Sequence, residues 1–299
     1  MVMCLNGSSN MKALIIGGRG MVGRQLDVLC QEVYDEVKVV DIEHDMTIKS
    51  NAEIIKDYDH IYHLAGIKGS PLRAKERPAD YLSMLQFDTN VIKAVGKYKP
   101  KWFLYTSTIG VYPPMEEYKE DLVWHKVPSE NDRIPAYIKR MGELSCEAIK
   151  ITYNYDNISI VRPANIYGPY DNFGEESTVI ASLIKKGYND DVINVWGDGT
   201  PIRDFIYSKD VARGMLHMVQ NKINIPINLG SGKEVRISDI ASIIGNYFNK
   251  EIEYNVTKPN GDLRRQMDTR RAESVEFKPK YGLERGMIET IKWYLKNYG

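Results

Sequence analysis

The stretch that decides the fold is KALIIGGRGMVGRQLDVLCQ, residues 12–31. A short apolar run ends in glycine, and apolar residues then recur at helical spacing. Gly17, Gly20 and Gly23 form a G-x-x-G-x-x-G pattern between this predicted strand and helix. Glycines let the backbone turn tightly and approach a pyrophosphate, for which the helix N-terminus supplies free N–H groups. The block, which includes Met21 and Val22, therefore predicts a dinucleotide-binding turn; the alternative is a similar fold that binds no nucleotide.

Further strands and helices alternate along the chain. The strands are predicted at 36–42, 60–66, 101–108 and 158–168, and the helices at 81–98 and 137–154. Such alternation is typical of a parallel sheet with right-handed crossovers. It predicts an α/β fold, a Rossmann doubly wound parallel sheet.

The pattern changes after residue 168 into shorter, loop-rich pieces that end in a predicted helix at 284–297. We expect a loose N-terminal extension over 1–10 and a dinucleotide-binding domain over 11–168. A return segment at about 203–222 belongs to that domain. Residues 169–299 are expected to form mainly a smaller C-terminal substrate-binding lobe.

The bulk composition excludes several classes of protein. Among 299 residues, 40 Lys and Arg balance 40 Asp and Glu, so no net charge favours nucleic acid or an anionic membrane. The three cysteines show no paired spacing, which argues against a disulfide framework or a metal site and fits a reducing cytoplasm. No apolar run approaches the roughly 18 residues of a membrane span.

Asp41 ends the second predicted strand, 18 residues after Gly23. A carboxylate there accepts hydrogen bonds from the adenine ribose and repels a 2′-phosphate, which favours NAD over NADP. Arg19 is the contrary sign, because its guanidinium could neutralise a 2′-phosphate. NAD is the predicted cofactor, with NADP left open.

From about Lys12 to Tyr294 the chain resembles the extended short-chain dehydrogenase/reductases that act on nucleotide sugars. The motifs that carry this resemblance are GGRGMVG, VVDI, HLAG, YTSTIGVYP, KRMGE, RPANIYGP, GDGTPIRDFIYSKDVA and NLGSGKEVRISDIA. The strings RGMVG and YGPYDNF are most similar to the GDP-L-fucose synthase group. The resemblance implies a nucleotide-diphosphate sugar as substrate, a GDP-sugar in particular, and a homodimer built from helices 81–98 and 137–154.

The resemblance also assigns roles to single residues. Thr108 stands where the family has its catalytic Ser or Thr, although a strand-end Thr bonded to backbone is the plainer interpretation. Asn165 and Arg203 match diphosphate contacts, and Arg264 or Arg265 could supply a second guanidinium, with Arg264 preferred. The residues expected near the adenine or beneath the cofactor are Asp45, Met46, Leu64, Ala65 and Gly66.

The family's catalytic tyrosine is missing from its usual place. It normally lies four residues before the lysine, on the same helix face, where the positive charge lowers its pKa. KRMGE places the lysine at Lys139, and four residues earlier stands Pro135. Lys139 is expected to bind the nicotinamide ribose. Tyr137 could replace the tyrosine if the first helical turn is irregular; otherwise Thr108 and water carry the proton, or turnover is slow.

The resemblance limits the reaction as well. The 4,6-dehydratases carry an Asp-Glu pair after the threonine, whereas Ile109 and Gly110 follow Thr108 here. GDP-L-fucose synthase epimerises C3 and C5 with a Cys and a His, and those positions are Gly110 and Thr178. Hydride transfer at C4 remains, as an NAD-dependent 4-dehydrogenase, similar to GDP-manno-heptose 4-dehydrogenases, or as a 4-epimerase. The alternatives are an NADPH-dependent 4-ketoreductase and a non-catalytic dinucleotide-binding sensor.

Overall fold

The computed structural model describes residues 10–68 and 71–299. The predicted N-terminal extension, apart from Asn10, lies outside these residues. The helices are α1 Met21–Gln31, α2 Pro71–Glu76, α3 Leu82–Tyr98, α4 Arg133–Tyr153, α5 Val179–Asn189, α6 Ser208–Gln220, α7 Ile237–Phe248, α8 Arg270–Ser274 and α9 Leu283–Tyr298. Among the described residues no helix has the length and apolarity needed to cross a membrane.

The strands of the described residues form one large sheet and three small ones. They are β1 Lys12–Ile16, β2 Glu36–Val40, β3 His60–His63, β4 Trp102–Thr106, β5 Ile158–Pro163, β6 Asn165–Tyr167, β7 Val192–Trp196, β8 Ile202–Arg203, β9 Phe205–Tyr207, β10 Pro226–Leu229, β11 Val235–Arg236, β12 Glu251–Asn255 and β13 Arg264–Arg265. The large sheet has the order β10-β5-β4-β3-β1-β2, and all its pairs are parallel.

Both faces of the large sheet are covered, as strand alternation requires. Ala13 and Ile15 of β1 point into a core shared with α1 and α6, whereas Leu14 and Ile16 point into one shared with α3 and α4. The fold is therefore the predicted doubly wound α/β sheet. The carboxyl ends of β1, β3 and β4 meet at one edge, where the candidate site lies.

The chain leaves the large sheet earlier than the sequence predicted. The run 158–168 is not one strand, because β5 ends at Pro163, which has no N–H to continue the ladder. Ala164 still donates its N–H to the Leu229 carbonyl at 2.9 Å, and β6 then pairs with β9 instead. The chain crosses here from the cofactor sheet into the other lobe.

The return to the large sheet is longer than predicted. It runs through β9 and α6 and continues to β10, which pairs with β5 outside the expected 203–222 segment. Arg203 belongs instead to the small sheet β11-β8-β13. The lobe formed mainly by residues 169–299 has its own core, built from α5, α7, α9 and the strands between them. The domain boundary at 168 stays a prediction.

Candidate active site

The glycine-rich turn joins β1 to α1 as its sequence predicted. Gly17 has a φ of +79°, and a Cβ there would lie 2.6 Å from the Ala65 backbone nitrogen. A Cβ at Gly23 would lie 2.4 Å from the Gly18 Cα, so the helix packs directly on the turn. Gly20 is the N-cap and provides no capping side chain. The first N–H groups of α1 therefore stay available for an anion.

The end of β2 carries two carboxylates and one guanidinium. Asp41 accepts the backbone N–H of Arg19 at 2.8 Å and that of Ile42 at 2.9 Å, which fixes its carboxylate against the glycine-rich turn. The Arg19 guanidinium is paired with Glu43 at 2.8 Å. A residue that the sequence analysis did not consider, Glu43, thus neutralises the charge that argued for NADP.

The other predicted cofactor contacts lie around the same edge. Asp45 is exposed and accepts the Thr47 N–H at 2.9 Å, while the Met46 side chain is buried in the core. Leu64 and Ala65 follow β3 and pack their side chains against the cores on the two faces of the sheet. Gly66 is exposed beyond them. Because the side chains of Met46, Leu64 and Ala65 pack into the cores, these residues would contact a cofactor mainly through their backbone atoms.

Thr108 follows β4 and caps a short 3-10 turn, Ile109–Val111. Its backbone is extended, and its Oγ1 accepts the Gly110 N–H at 3.2 Å. The structure therefore contains the hydrogen bond to backbone that the plainer interpretation of this threonine expects. The bond uses the oxygen as acceptor, so the hydroxyl hydrogen can still be donated to a sugar oxygen.

The structure separates Tyr137 from Lys139. Helix α4 is regular from Arg133, so Pro135 lies in its first turn, where a missing N–H costs little. Lys139 is 6% exposed, whereas Tyr137 is 41% exposed and stacks near the Arg140 guanidinium. Two residues along a helix point in widely different directions. The hypothesis of an irregular first turn that directs the Tyr137 ring inward does not agree with this geometry.

Lys139 sits in a buried polar cluster that the sequence analysis missed. Its Nζ lies 3.5 Å from the Asp88 carboxylate on α3 and 3.5 Å from the Ala65 carbonyl. Asp88 also accepts the Tyr105 hydroxyl at 2.6 Å and contacts His63 Nε2 at 2.7 Å. The sequence feature that could have indicated this cluster is Asp88, an acidic residue within the apolar pattern of helix 81–98.

Two arginines lie side by side in the substrate lobe. β13 runs parallel to β8 with Arg265 in register with Arg203. Arg265 is balanced by Asp132 at 2.5 Å and by Asp262 at 2.7 Å. Arg203 makes no ion pair within the described residues and donates only to the Ile202 carbonyl, at 2.9 Å. Burial, followed by the charge of Arg265, lowers the pKa of Arg203 to about 10, so it remains a cation at neutral pH.

Arg264, the preferred second guanidinium, is directed elsewhere. Neighbouring residues of a strand point to opposite sides, so Arg264 faces away from Arg203. Its guanidinium donates to the Glu116 carbonyl at 2.8 Å and is paired with Glu234. The structure brings Arg265 to Arg203 in its place.

Asn165 starts β6, on the crossing from the large sheet to the lobe. Its side-chain amide donates to the Asp204 carbonyl at 2.8 Å, and its own oxygen makes no hydrogen bond among the described residues. Asp204, next to Arg203, is fully buried, and burial raises its pKa to about 6 in spite of hydrogen bonds from Ser231 and Gly232. Asp204 thus links the two predicted diphosphate contacts, because it accepts the Asn165 amide and directly follows Arg203 in the chain.

The chain belongs to the NAD dependent epimerase/dehydratase family, whose model matches residues 13–230. A similar protein is the probable GDP-L-fucose synthase 1 of Oryza sativa subsp. japonica, 32% identical over 96% of this chain and 92% of the relative. The family resemblance seen in the sequence is therefore confirmed.

Solved structures confirm the fold. A GDP-L-fucose synthetase from Naegleria fowleri bound to NADP matches with a TM-score of 0.85 and 22% identity, over 98% of this chain and 96% of that one. A GDP-6-OMe-4-keto-L-xylo-heptose reductase from C. jejuni matches with a TM-score of 0.88 and 20% identity, over 97% and 99%.

Proposed function

We propose that the chain is an oxidoreductase that transfers hydride at C4 of a GDP-linked sugar and works as a 4-ketoreductase. The observation that carries the substrate class is Arg203, a largely buried cation with no counter-ion among the described residues. A buried charge lowers the stability of the protein unless an anion binds next to it. The neighbouring Arg265 is held by Asp132 and Asp262 through its Nε and Nη2, so among the described residues only its Nη1 is left to join Arg203 in binding an anion. Two planar forks suit the oxygens of a diphosphate.

The direction of the reaction rests on the relatives. Their names include GDP-L-fucose synthases and a 4-keto-heptose reductase, and these support the ketoreductase alternative over the NAD-dependent 4-dehydrogenase that the sequence analysis preferred. The guanine base is likewise proposed from these names. The non-catalytic sensor is the weaker alternative, because a protein that only senses a dinucleotide has no use for the Arg203–Arg265 pair.

The relatives and the residues at the end of β2 favour different coenzymes. One structural neighbour is bound to NADP. In this chain, however, Asp41 is fixed against the glycine-rich turn, where we expect the adenine ribose, and Glu43 neutralises Arg19. A 2′-phosphate would meet two carboxylates and a guanidinium that is already paired. Because of these residues, we propose NADH as the coenzyme.

Lys139 and Thr108 are the proposed catalytic pair. Lys139 orients the nicotinamide ribose, and its charge stabilises the alkoxide that forms when hydride reaches C4. Thr108 donates its hydroxyl hydrogen to the same oxygen. A water then supplies the proton, because Tyr137 faces away and Pro135 has no acidic group.

Epimerisation at C3 and C5 is not part of the proposal. Gly110 has no side chain, and Thr178 is the N-cap residue of α5 but donates its hydroxyl to the Asp171 carboxylate at 3.4 Å. The Asp132 carboxylate lies beside Gly110 but is held by Arg265. None of these groups is placed as a free acid and base on the two faces of a sugar.

A homodimer is also proposed. Helix α4 exposes a row of apolar side chains, and α3 adds two more next to it; the set is Leu82, Leu85, Ile134, Met141, Leu144 and Ile151. A second copy that packs α3 and α4 against the same helices would cover this surface.

The decisive experiment has two stages. Calorimetry with GDP, UDP and dTDP tests the diphosphate site, and GDP should bind most tightly. NADH consumption is then followed with a panel of GDP-linked 4-keto sugars. Arg203→Met should abolish nucleotide binding, whereas Arg285→Met, an exposed arginine on α9, should leave it unchanged. If none of the three nucleotides binds, the proposed substrate class is wrong.

A further inference from the structure

The polar cluster beneath Lys139 is enclosed by both layers of the fold. Asp88 is 3% exposed, His63 and Tyr105 are each fully buried, and Lys139 is 6% exposed. They come from α3, β3, β4 and α4, so no local pattern explains their meeting. A buried charge is tolerated only when it is paired and hydrogen-bonded, and this cluster contains one cation and one carboxylate.

The hydrogen bonds define how the charges are distributed. Burial opposes the ionisation of Asp88, but the Lys139 charge and the bonds from His63 and Tyr105 outweigh it and lower the pKa of Asp88. Burial lowers the pKa of His63, which keeps the ring neutral at pH 7. His63 then donates from Nε2 to the ionised Asp88, and its Nδ1 has no partner among the described residues.

The backbone of α4 is shaped to fit the cluster. A Cβ at Gly142 would lie 1.9 Å from the Tyr105 hydroxyl oxygen. Any other residue there would displace the hydroxyl from Asp88. The glycine of the KRMGE motif thus keeps open the space in which Tyr105 reaches Asp88.

We infer that Asp88 is a positioning residue for Lys139: its carboxylate, fixed by His63 and Tyr105, holds the lysine ammonium close to the Ala65 carbonyl at the cofactor edge. The inference rests on the proposed role of Lys139 as the group that binds the nicotinamide ribose. It assigns to the chain a second residue, deep in the core, on which coenzyme binding depends.

Several other groups face the same site. Glu143, one turn after Lys139, is held by Arg162 through two bonds of 2.9 and 2.7 Å. Cys146 is fully buried, and burial raises its pKa well above the ordinary thiol value. Neither supplies a free negative charge to Lys139. Loss of the Asp88 charge would therefore leave the ammonium buried without a counter-ion.

The test measures coenzyme affinity against pH. NADH, or NADPH if the protein binds that more tightly, is titrated by its fluorescence into wild-type protein, Asp88→Asn, Asp88→Glu and Lys139→Met from pH 6 to 10. In Asp88→Asn the unpaired lysine loses its proton more easily. The pH at which affinity falls should therefore be lower by roughly 1–3 units, the effect of one opposite charge at this range. Asp88→Glu should restore most of the wild-type profile.

A double variant separates positioning from a general structural role. If Asp88 acts through Lys139, Asp88→Asn should have little further effect in a Lys139→Met background; two independent effects on affinity would overturn the inference. An unchanged pH profile in Asp88→Asn would overturn it as well. Should Asp88→Asn not fold, Asp88→Ser, which leaves room for a water, takes its place. If Lys139→Met alone binds coenzyme normally, the proposed role of Lys139 is what fails.

Discussion

Coenzyme choice can be shifted by a single change at the end of β2. Glu43 is exposed and makes an ion pair with Arg19 at 2.8 Å. Such a surface pair contributes about 0–1 kcal/mol to stability, so Glu43→Gln should leave the fold intact. The change removes one negative charge from the proposed site of the adenine ribose and frees the Arg19 guanidinium. Affinity for NADPH should therefore rise while affinity for NADH stays nearly constant.

The size of the effect follows from Coulomb's law. A 2′-phosphate carries a charge of about −2, and a carboxylate roughly 6 Å away in water opposes it by about 1.4 kcal/mol. Each carboxylate is thus worth about tenfold in affinity. Glu43→Gln should raise the ratio of NADPH to NADH affinity about tenfold, and Asp41→Ser with Glu43→Gln about a hundredfold.

The assay is calorimetric titration with both coenzymes at low and high salt. Because the charges are exposed, the change in ratio should shrink at about 1 M salt, where the Debye length is roughly 3 Å. Glu32→Gln, at the opposite end of α1, is the matched control and should change neither affinity. The reasoning is refuted if wild-type protein prefers NADPH, or if the ratio does not move in the double variant.

Other expectations concern the substrate, the proton and the assembly. Arg265→Leu should weaken GDP binding by at least tenfold, whereas Arg264→Leu should leave it within about twofold; calorimetry that finds the reverse would return the second guanidinium to Arg264. Tyr137→Phe should keep the turnover rate within about twofold, and a loss of 10² or more would show that this tyrosine carries the proton. In D2O the product should carry no deuterium at C3 or C5 by NMR, because the positions of the family's thiol and imidazole hold a glycine and a threonine. Sedimentation should give a dimer that Met141→Glu converts to monomer; a wild-type monomer at micromolar concentration would contradict the assembly.

The glycine-rich turn and the alternating elements were predictable because their causes are local. Gly17 needs its positive φ, and Gly23 needs the absence of a Cβ, whatever the rest of the chain does. The strand end at Pro163 was missed, since the apolar run continues past it through Ile166. Only the pairing of β6 with β9 shows that the chain has changed sheets there.

The candidate site was predictable to the extent that motifs determine it. Arg264 and Arg265 are adjacent and chemically identical, so the choice between them depends on the register of β13 with β8, which the sequence does not reveal. Asp88 was missed for a related reason. It is polar in an otherwise apolar stripe, but its partners are distant in sequence, and only the packing of α3 and α4 over the sheet brings it to Lys139.

The site shows which part of the family's chemistry depends on a single side chain and which part is distributed. In the proposed mechanism, positive charge at the reacting oxygen comes from Lys139, which is supported by Asp88, His63, Tyr105 and the space at Gly142. Proton donation in the family depends on one tyrosine, and here Pro135 occupies that place. Loss of a positioned acid costs roughly 10²–10⁴ in rate, whereas loss of the lysine would also weaken coenzyme binding. Because Pro135 is only partly buried at the first turn of α4, water can reach this side of the site. The proposed hydride transfer to a 4-keto sugar therefore does not require the tyrosine: Thr108 is the hydroxyl that contacts the new alkoxide, and solvent is the source of the proton.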